Sequence, residues 1–173
     1  MDSKKRRQRI LNALRNRHEP ITGKTLANVM EVSRQVIVSD IAILRAKGYK
    51  ILATPQGYIL SNPVTSQRTR ATIACRHFGD EIQKELETVV KYGGKIIDVT
   101  VEHPIYGELT GVLMIKSLHD VDEFLKKLKQ TKAKPLLSLT DGIHLHTIEA
   151  DDTKTLEIIK KHLKKINILF EED

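Results

Sequence analysis

Leu26-Ala27-Asn28-Val29-Met30-Glu31-Val32-Ser33-Arg34-Gln35-Val36-Ile37, running on to Gly48-Tyr49 and Gly57-Tyr58, is the stretch on which the fold turns. Thr22 can cap a helix over 23–30, because its hydroxyl can accept one of the orphan amides of a first turn. Glu31-Val32 then makes a turn, and Ser33 caps a further helix that ends at Gly48, a residue suited to a helix C-terminus. In that helix Ile37, Ile41 and Leu44 recur at i, i+4 and i+7, the stripe of a face packed on its neighbours, with Val36 beside them. Upstream, residues 4–17 read as a helix with Ile10, Leu11 and Leu14 on one face and Arg6, Arg9 and Arg17 toward solvent. Downstream, residues 49–52 and 58–60 flank Thr54-Pro55-Gln56-Gly57, which has the chemistry of a tight turn.

Three helices and a two-stranded wing make a winged helix-turn-helix, a motif that places one helix in the major groove of DNA. The outward face of the third helix carries Arg34, Gln35, Val38, Ser39 and Ala42. Arginine suits guanine, glutamine suits adenine, and small apolar groups suit a thymine methyl. Arg34, Gln35, Val38, Ser39, Arg45 and Lys50 are the DNA-binding candidates. Lys50 and Gln56 are placed to touch phosphates, which position a domain without reading sequence. Charge points the same way. Residues 1–62 carry 12 Lys+Arg against 4 Asp+Glu, a net +8, and residues 63–173 carry 17 against 18, a net −1. A basic module joined to a near-neutral domain is the footprint of nucleic-acid binding at one end only.

At 173 residues the chain suits one large or two small domains. No apolar run approaches the roughly 18 residues of a membrane span. The basic N-terminus lacks the apolar segment of a signal peptide. The single cysteine, Cys75, excludes an internal disulfide framework and fits the cytoplasm. The expected organisation is a DNA-binding domain at 1–61, a linker at 62–69 around Pro63, and a second domain at 70–173. In the second domain the order reads strand 70–77, helix 79–92 stopped by Gly93-Gly94, strands 95–102 and 108–116, and helix 118–130. Strands 136–139 and 143–149, joined by the hairpin turn Thr140-Asp141-Gly142, and helix 152–165 complete it. This is an α+β arrangement, with helices on one face of a mainly antiparallel sheet.

His144-x-His146 lies in a predicted strand, where residues i and i+2 share a face about 6.5–7 Å apart. That spacing suits a polar surface pair as well as two ligands of one ion. His77 ends the first strand, and Glu81 and Glu85 share one face of the first helix. With the first and last strands adjacent, His77, Glu85, His144 and His146 would offer three nitrogens and an oxygen, a set for zinc, nickel or a similar ion. Cys75 alternates onto the face of His77. Its first reading is a small buried hydrophobe and its second a ligand. His103-Pro104-x-x-Gly107 reads as a turn that either lines a pocket or is structural. Arg76 is the nearest fork-like cation for a ligand carboxylate, or else a surface ion pair. His18, His119 and His162, and the lysine runs near 126–129 and 160–165, read as solvated faces.

The N-terminal pattern Leu-Ala-x-x-hydrophobic-x-Val-Ser-Arg-Gln, followed by Asp40-Ile41-x-x-Leu44-Arg45-x-x-Gly48-Tyr49, resembles the winged helix of the biotin-operon repressor type and of many ligand-responsive bacterial repressors. Those relatives often carry Arg where Ser39 stands. Residues 70–170 resemble the three-histidine (3H) domain of nicotinate-responsive repressors, the NiaR/YrxA type. Three segments carry the resemblance: Ala74-Cys75-Arg76-His77-Phe78-Gly79 with Glu85 eight residues on, Val101-Glu102-His103-Pro104-Ile105-Tyr106-Gly107, and Asp141-Gly142-Ile143-His144-Leu145-His146-Thr147. The resemblance implies one divalent transition metal, nickel or zinc, held by His77, Glu85, His144 and His146. It implies an HPr-like fold of four antiparallel strands with helices on one face. It also implies a homodimer on a palindromic operator of NAD-biosynthesis or niacin-uptake genes, with nicotinic acid or a related pyridine as co-repressor. Arg76, His103 and Tyr106 are the ligand-binding candidates. No enzyme is expected. A fused biotin ligase lacks its Gly-Arg-Gly-x-x-Gly-like loop and room for its second domain. For a metal-assisted hydrolase nothing selects a general base among Glu81, Glu102 and Glu149. The other regulatory reading is a repressor for which the ion itself is the signal.

Overall fold

Two side-chain caps begin the helices that matter most. Thr22 Oγ1 accepts from the Thr25 amide at 3.0 Å and Ser33 Oγ from the Val36 amide at 3.3 Å, each satisfying an amide that a helix start leaves open. The structure, a computed structural model, describes residues 2–61 and 68–171. It falls into two compact units, Met1–Thr65 and Ser66–Asp173. Residues 62–67 of the expected linker lie outside the described residues, and Thr69 already stands in a strand opposite Ala150.

In the first unit α1 (Ser3–Arg15), α2 (Gly23–Met30) and α3 (Arg34–Ala46) precede a hairpin of β1 (Ile51–Thr54) and β2 (Gly57–Leu60). Glu31 takes a left-handed conformation (φ 56°) that ends α2 and turns the chain into α3. Ile10, Leu11 and Leu14 of α1 bury against Leu26 and Met30 of α2 and the Ile37-Ile41-Leu44 stripe of α3. The wing starts two residues later than expected. It is tied to the α1–α2 connection by reciprocal bonds, Ile21 N–H to Tyr58 O and Tyr58 N–H to Ile21 O, both 2.8 Å. Arg6 is not solvated as expected. It and Arg7 donate to buried Asp40 on α3, at 2.6 and 3.1 Å. The pairs join α1 to α3 and compensate a carboxylate that is costly to bury alone.

The second unit is a four-stranded antiparallel sheet in the order β3 (Thr69–Arg76), β6 (Ile143–Ala150), β4 (Lys95–His103), β5 (Gly107–Ile115). Helices α4 (Ile82–Lys91), α5 (Leu118–Thr131) and α6 (Thr153–Lys165) supply the other half of its core. Leu86 and Val89 of α4, Val121 of α5, and Leu156, Ile159 and Leu163 of α6 meet Ile73, Ile96, Ile115 and Ile148 of the strands. The α+β expectation holds, with all three helices on one face. One strand does not form. Residues 136–139 are a 3-10 turn (Leu136–Leu139) instead, with Ser138 Oγ donating back to the Pro135 carbonyl at 2.7 Å. Four residues after a proline, three of them leucine, carry no periodicity that separates a strand from a turn. Thr140-Asp141-Gly142 therefore leads from this turn into β6 and is no hairpin. A bulge between Ile96 and Asp98 shifts the register of β4.

Candidate metal centre and nucleic-acid face

β3 and β6 are sheet neighbours, with Cys75 opposite His144 and Ile73 opposite His146. Even-numbered side chains of β6 face the helices, so His144 and His146 point inward with Ile148 and Ala150. His77 follows the last residue of β3, and Glu85 comes from the first turn of α4. The four are no more than 3 % exposed. His77 Nε2 lies 2.6 Å from Glu85 Oε2, His144 Nε2 3.3 Å from Oε1, and His146 Nε2 3.4 Å from Oε2. The rings of His77 and His146 each stand edge-on to that of His144, with centroids 4.8 and 4.9 Å away.

The other ring nitrogens are committed. His77 Nδ1 is 2.8 Å from the Phe78 carbonyl, His144 Nδ1 2.9 Å from that of Gly142, and His146 Nδ1 2.6 Å from that of Asp98. A carbonyl only accepts, so each Nδ1 carries the hydrogen. In a neutral ring that leaves Nε2 with a bare lone pair. Three lone pairs and a carboxylate then converge among buried side chains, an arrangement that repels itself unless a cation sits among them. Protons are one remedy. Burial disfavours charge on His77 and His146, but Glu85 outweighs it and raises both above the ordinary histidine value. Burial likewise opposes ionised Glu85. The charge of His146 and hydrogen bonds from all three rings reverse this and hold it well below the usual carboxylate range. A divalent ion is the other remedy. Histidines locked through Nδ1 to backbone carbonyls are the usual support of such a ligand set, and three nitrogens with one oxygen fit nickel or zinc.

Cys75 also reaches this cluster. Its Sγ, an oxygen of Glu85 and a nitrogen of His144 all lie within 4.8 Å of one another. Burial, then the Glu85 charge and a hydrogen bond to that carboxylate, push the thiol upward. The pairing of Cys75 with His144 is the contact that sequence alternation left without a partner. Glu81, in a 3-10 turn (Gly79–Glu81) before α4, is outside the ring of donors.

A groove of about 560 Å³ lies on the sheet face away from the helices, lined by Thr100, Glu102, Glu108, Thr140, Ile143 and Leu145 among others, with the His144 side chain wholly buried on the other side of the sheet. Its size falls in the small-molecule range of about 300–1,000 Å³. Arg76, His103 and Tyr106 are not among its walls. Arg76 lies over the Phe170 ring, 6.0 Å from its centroid, while His103 and Tyr106 stand 5.1 Å apart in the β4–β5 turn. There His103 Nδ1 accepts the amides of Ile105 and Tyr106. The candidate bases are dispersed: Glu149 pairs with Arg70 at 2.7 Å, and Glu102 lies on the sheet face away from the helices.

On α3, Arg34, Gln35, Ser39 and Ala42 are exposed, whereas Val38 is half-buried rather than exposed. Ser39 Oγ donates to the Gln35 carbonyl at 3.1 Å. Lys50 is exposed at the foot of the wing. Arg45 Nε donates to the Ile51 carbonyl at 2.7 Å, bracing the wing against α3.

Residues 6–59 match a helix-turn-helix domain family and residues 70–172 match the 3H domain family. The chain is similar to "Probable transcription repressor NiaR" of Thermotoga maritima, 46 % identical over 163 residues, 94 % of this chain and 92 % of that protein. It is similar to "Transcription repressor NadR" of Bacillus subtilis, 39 % identical over 169 residues, 96 % of this chain and 94 % of that one. Both relatives are named as transcription repressors, the first as a probable one. Among the described residues no helix is long and apolar enough to cross a membrane.

Proposed function

The chain belongs to the family of 3H-domain transcription repressors with an N-terminal helix-turn-helix, and on that premise we propose that it is a homodimeric repressor of NAD-biosynthesis or niacin-uptake genes whose co-repressor is nicotinic acid or a related pyridine. A divalent ion would be held by His77, Glu85, His144 and His146 and would supply positive charge inside the second unit, on the helix side of the sheet. The observation that carries this reading is the convergence of three Nε2 lone pairs on one buried carboxylate. Glu102 and Glu108 on the groove walls repel a pyridine carboxylate. Arg34, Gln35 and Ser39 would read base edges. A homodimer presents two such helices to half-sites about one helical turn apart.

The test is a gel shift on a palindromic operator with the metal-loaded chain, with and without nicotinate. Tighter binding with nicotinate is the expected result. Equal affinity at saturating nicotinate removes the co-repressor role. Binding that follows the ion and ignores pyridine carboxylates assigns the signal to the metal instead.

A further inference from the structure

None of the second unit's helices packs on the sheet face opposite them; one end of that face carries Arg70, Glu149, Lys95 and Asp98, and its middle is different. Across its middle the register places Ala74, Leu145, Thr100 and Thr110 in one row. That row holds no charge, in a chain with 29 % charged residues. Leu145 is 37 % and Ile143 39 % exposed. In the row beyond it, toward the Arg76 end, charge stands at opposite sides of the sheet. Arg76 ends β3 beside Ile143, with residues 168–170 bridged to the other side of the strand. Glu102 and Glu108 face each other across β4 and β5. Two carboxylates directly opposite destabilise a pair of strands. Neither has a cation partner among the described residues, and Arg76 has no carboxylate partner there.

We propose that this face is the dimerisation surface: it packs on the same face of a second copy about a two-fold axis parallel to the strands. Such an axis exchanges the edges of the sheet while keeping each row level. It lays β3 of one protomer over β5 of its partner, with the faces about 10 Å apart. Arg76 then meets the partner's Glu108 and Glu102, the same pair forms again across the axis, and Leu145 closes over the partner's Thr100. An axis running from strand to strand would set like-charged edges together. In the proposed arrangement the partner's Arg76 sets one positive charge against the two acids of the groove, leaving a net −1 where the monomer has −2. This deepens the homodimeric repressor reading and rests on it.

Sedimentation equilibrium of the full metal-loaded chain tests the arrangement. Glu108→Arg and Arg76→Glu should each weaken self-association by at least about tenfold. The Arg76→Glu/Glu108→Arg double variant should recover most of the loss, which a misfolded chain would not do. A wild-type dimer indifferent to all three variants overturns the face and leaves the homodimer standing. Loss in both single variants with no recovery in the double overturns the pairing and with it the proposal. A wild type that stays monomeric overturns this face and the homodimer together.

Discussion

His144 is held from both ends of its ring, by the Gly142 carbonyl at Nδ1 and by Glu85 at Nε2. His144→Ala should lose the ion and the response to nicotinate while non-specific DNA binding persists. Metal content by elemental analysis checks this, and an unchanged content refutes it. The same ring of donors sets a pH dependence. In the metal-free chain the raised His77 and His146 stabilise the fold fully below the ordinary histidine value of 6.5, and that contribution is lost as pH rises through their raised values. The depressed Glu85 stabilises above the ordinary carboxyl value and loses its effect only as pH falls through its own lower one. The ion requires neutral rings, so it acts in the opposite sense to the histidine protons. The difference in melting temperature between metal-loaded and metal-stripped protein should therefore widen above about pH 6.5 and narrow below it. A constant difference from about pH 5 to 8 would count against the ligand set. The donors were legible in sequence because strand alternation and helix spacing are local rules. Their Nδ1 partners were not, since the carbonyls of Phe78, Gly142 and Asp98 are aimed by backbone turns and by the bulge in β4. Arg6–Asp40 was missed for a related reason: it joins residues 34 apart, and the hint available was an aspartate next to Ile41 in an otherwise apolar stripe.

Elements set these residues with little slack. Gly142 enters β6 with φ 85°, and a Cβ there would run into the His77 carbonyl. Gly142→Ala should cost more than about 2 kcal/mol of stability in the second unit, from left-handed strain and the clash together. Denaturant unfolding measures it, and a neutral effect would show that the turn can relax. On α3, Arg34→Ala should cost about 1–3 kcal/mol of operator binding if the guanidinium reads a base. An equal loss on every DNA sequence would show a phosphate contact. The helices and the order of the long strands followed from periodicity and caps. The 136–139 segment did not, because a short apolar run takes its form from what it packs on. The wing's start was misjudged by two residues because Tyr49 and Lys50 are extended without yet pairing.

Net positive charge and the buried histidine cluster occupy different units, so the proposed DNA and ligand contacts are separable by experiment. Chelation of the ion should abolish a nicotinate effect of about 5- to 150-fold on operator affinity, while salt-sensitive binding to arbitrary DNA continues. Titration of fluorescent operator with native and chelated protein reads both. A nicotinate effect that survives chelation would move the ligand elsewhere. Domain order and the excess of charge at one end were plain in the sequence. The open sheet face was not, because Arg76, Glu102 and Glu108 come into one row only through the strand order β3-β6-β4-β5. One more consequence lies in the burial of the four donors. An ion seated behind side chains no more than 3 % exposed leaves only when its surroundings open, and such openings are rare, slow events. A detector of fluctuating metal must exchange its ion as fast as supply changes. On the proposed reading a centre sealed in this way would instead keep one ion through many cycles of transcription, a fixed component against which a rapidly diffusing small molecule would be the variable.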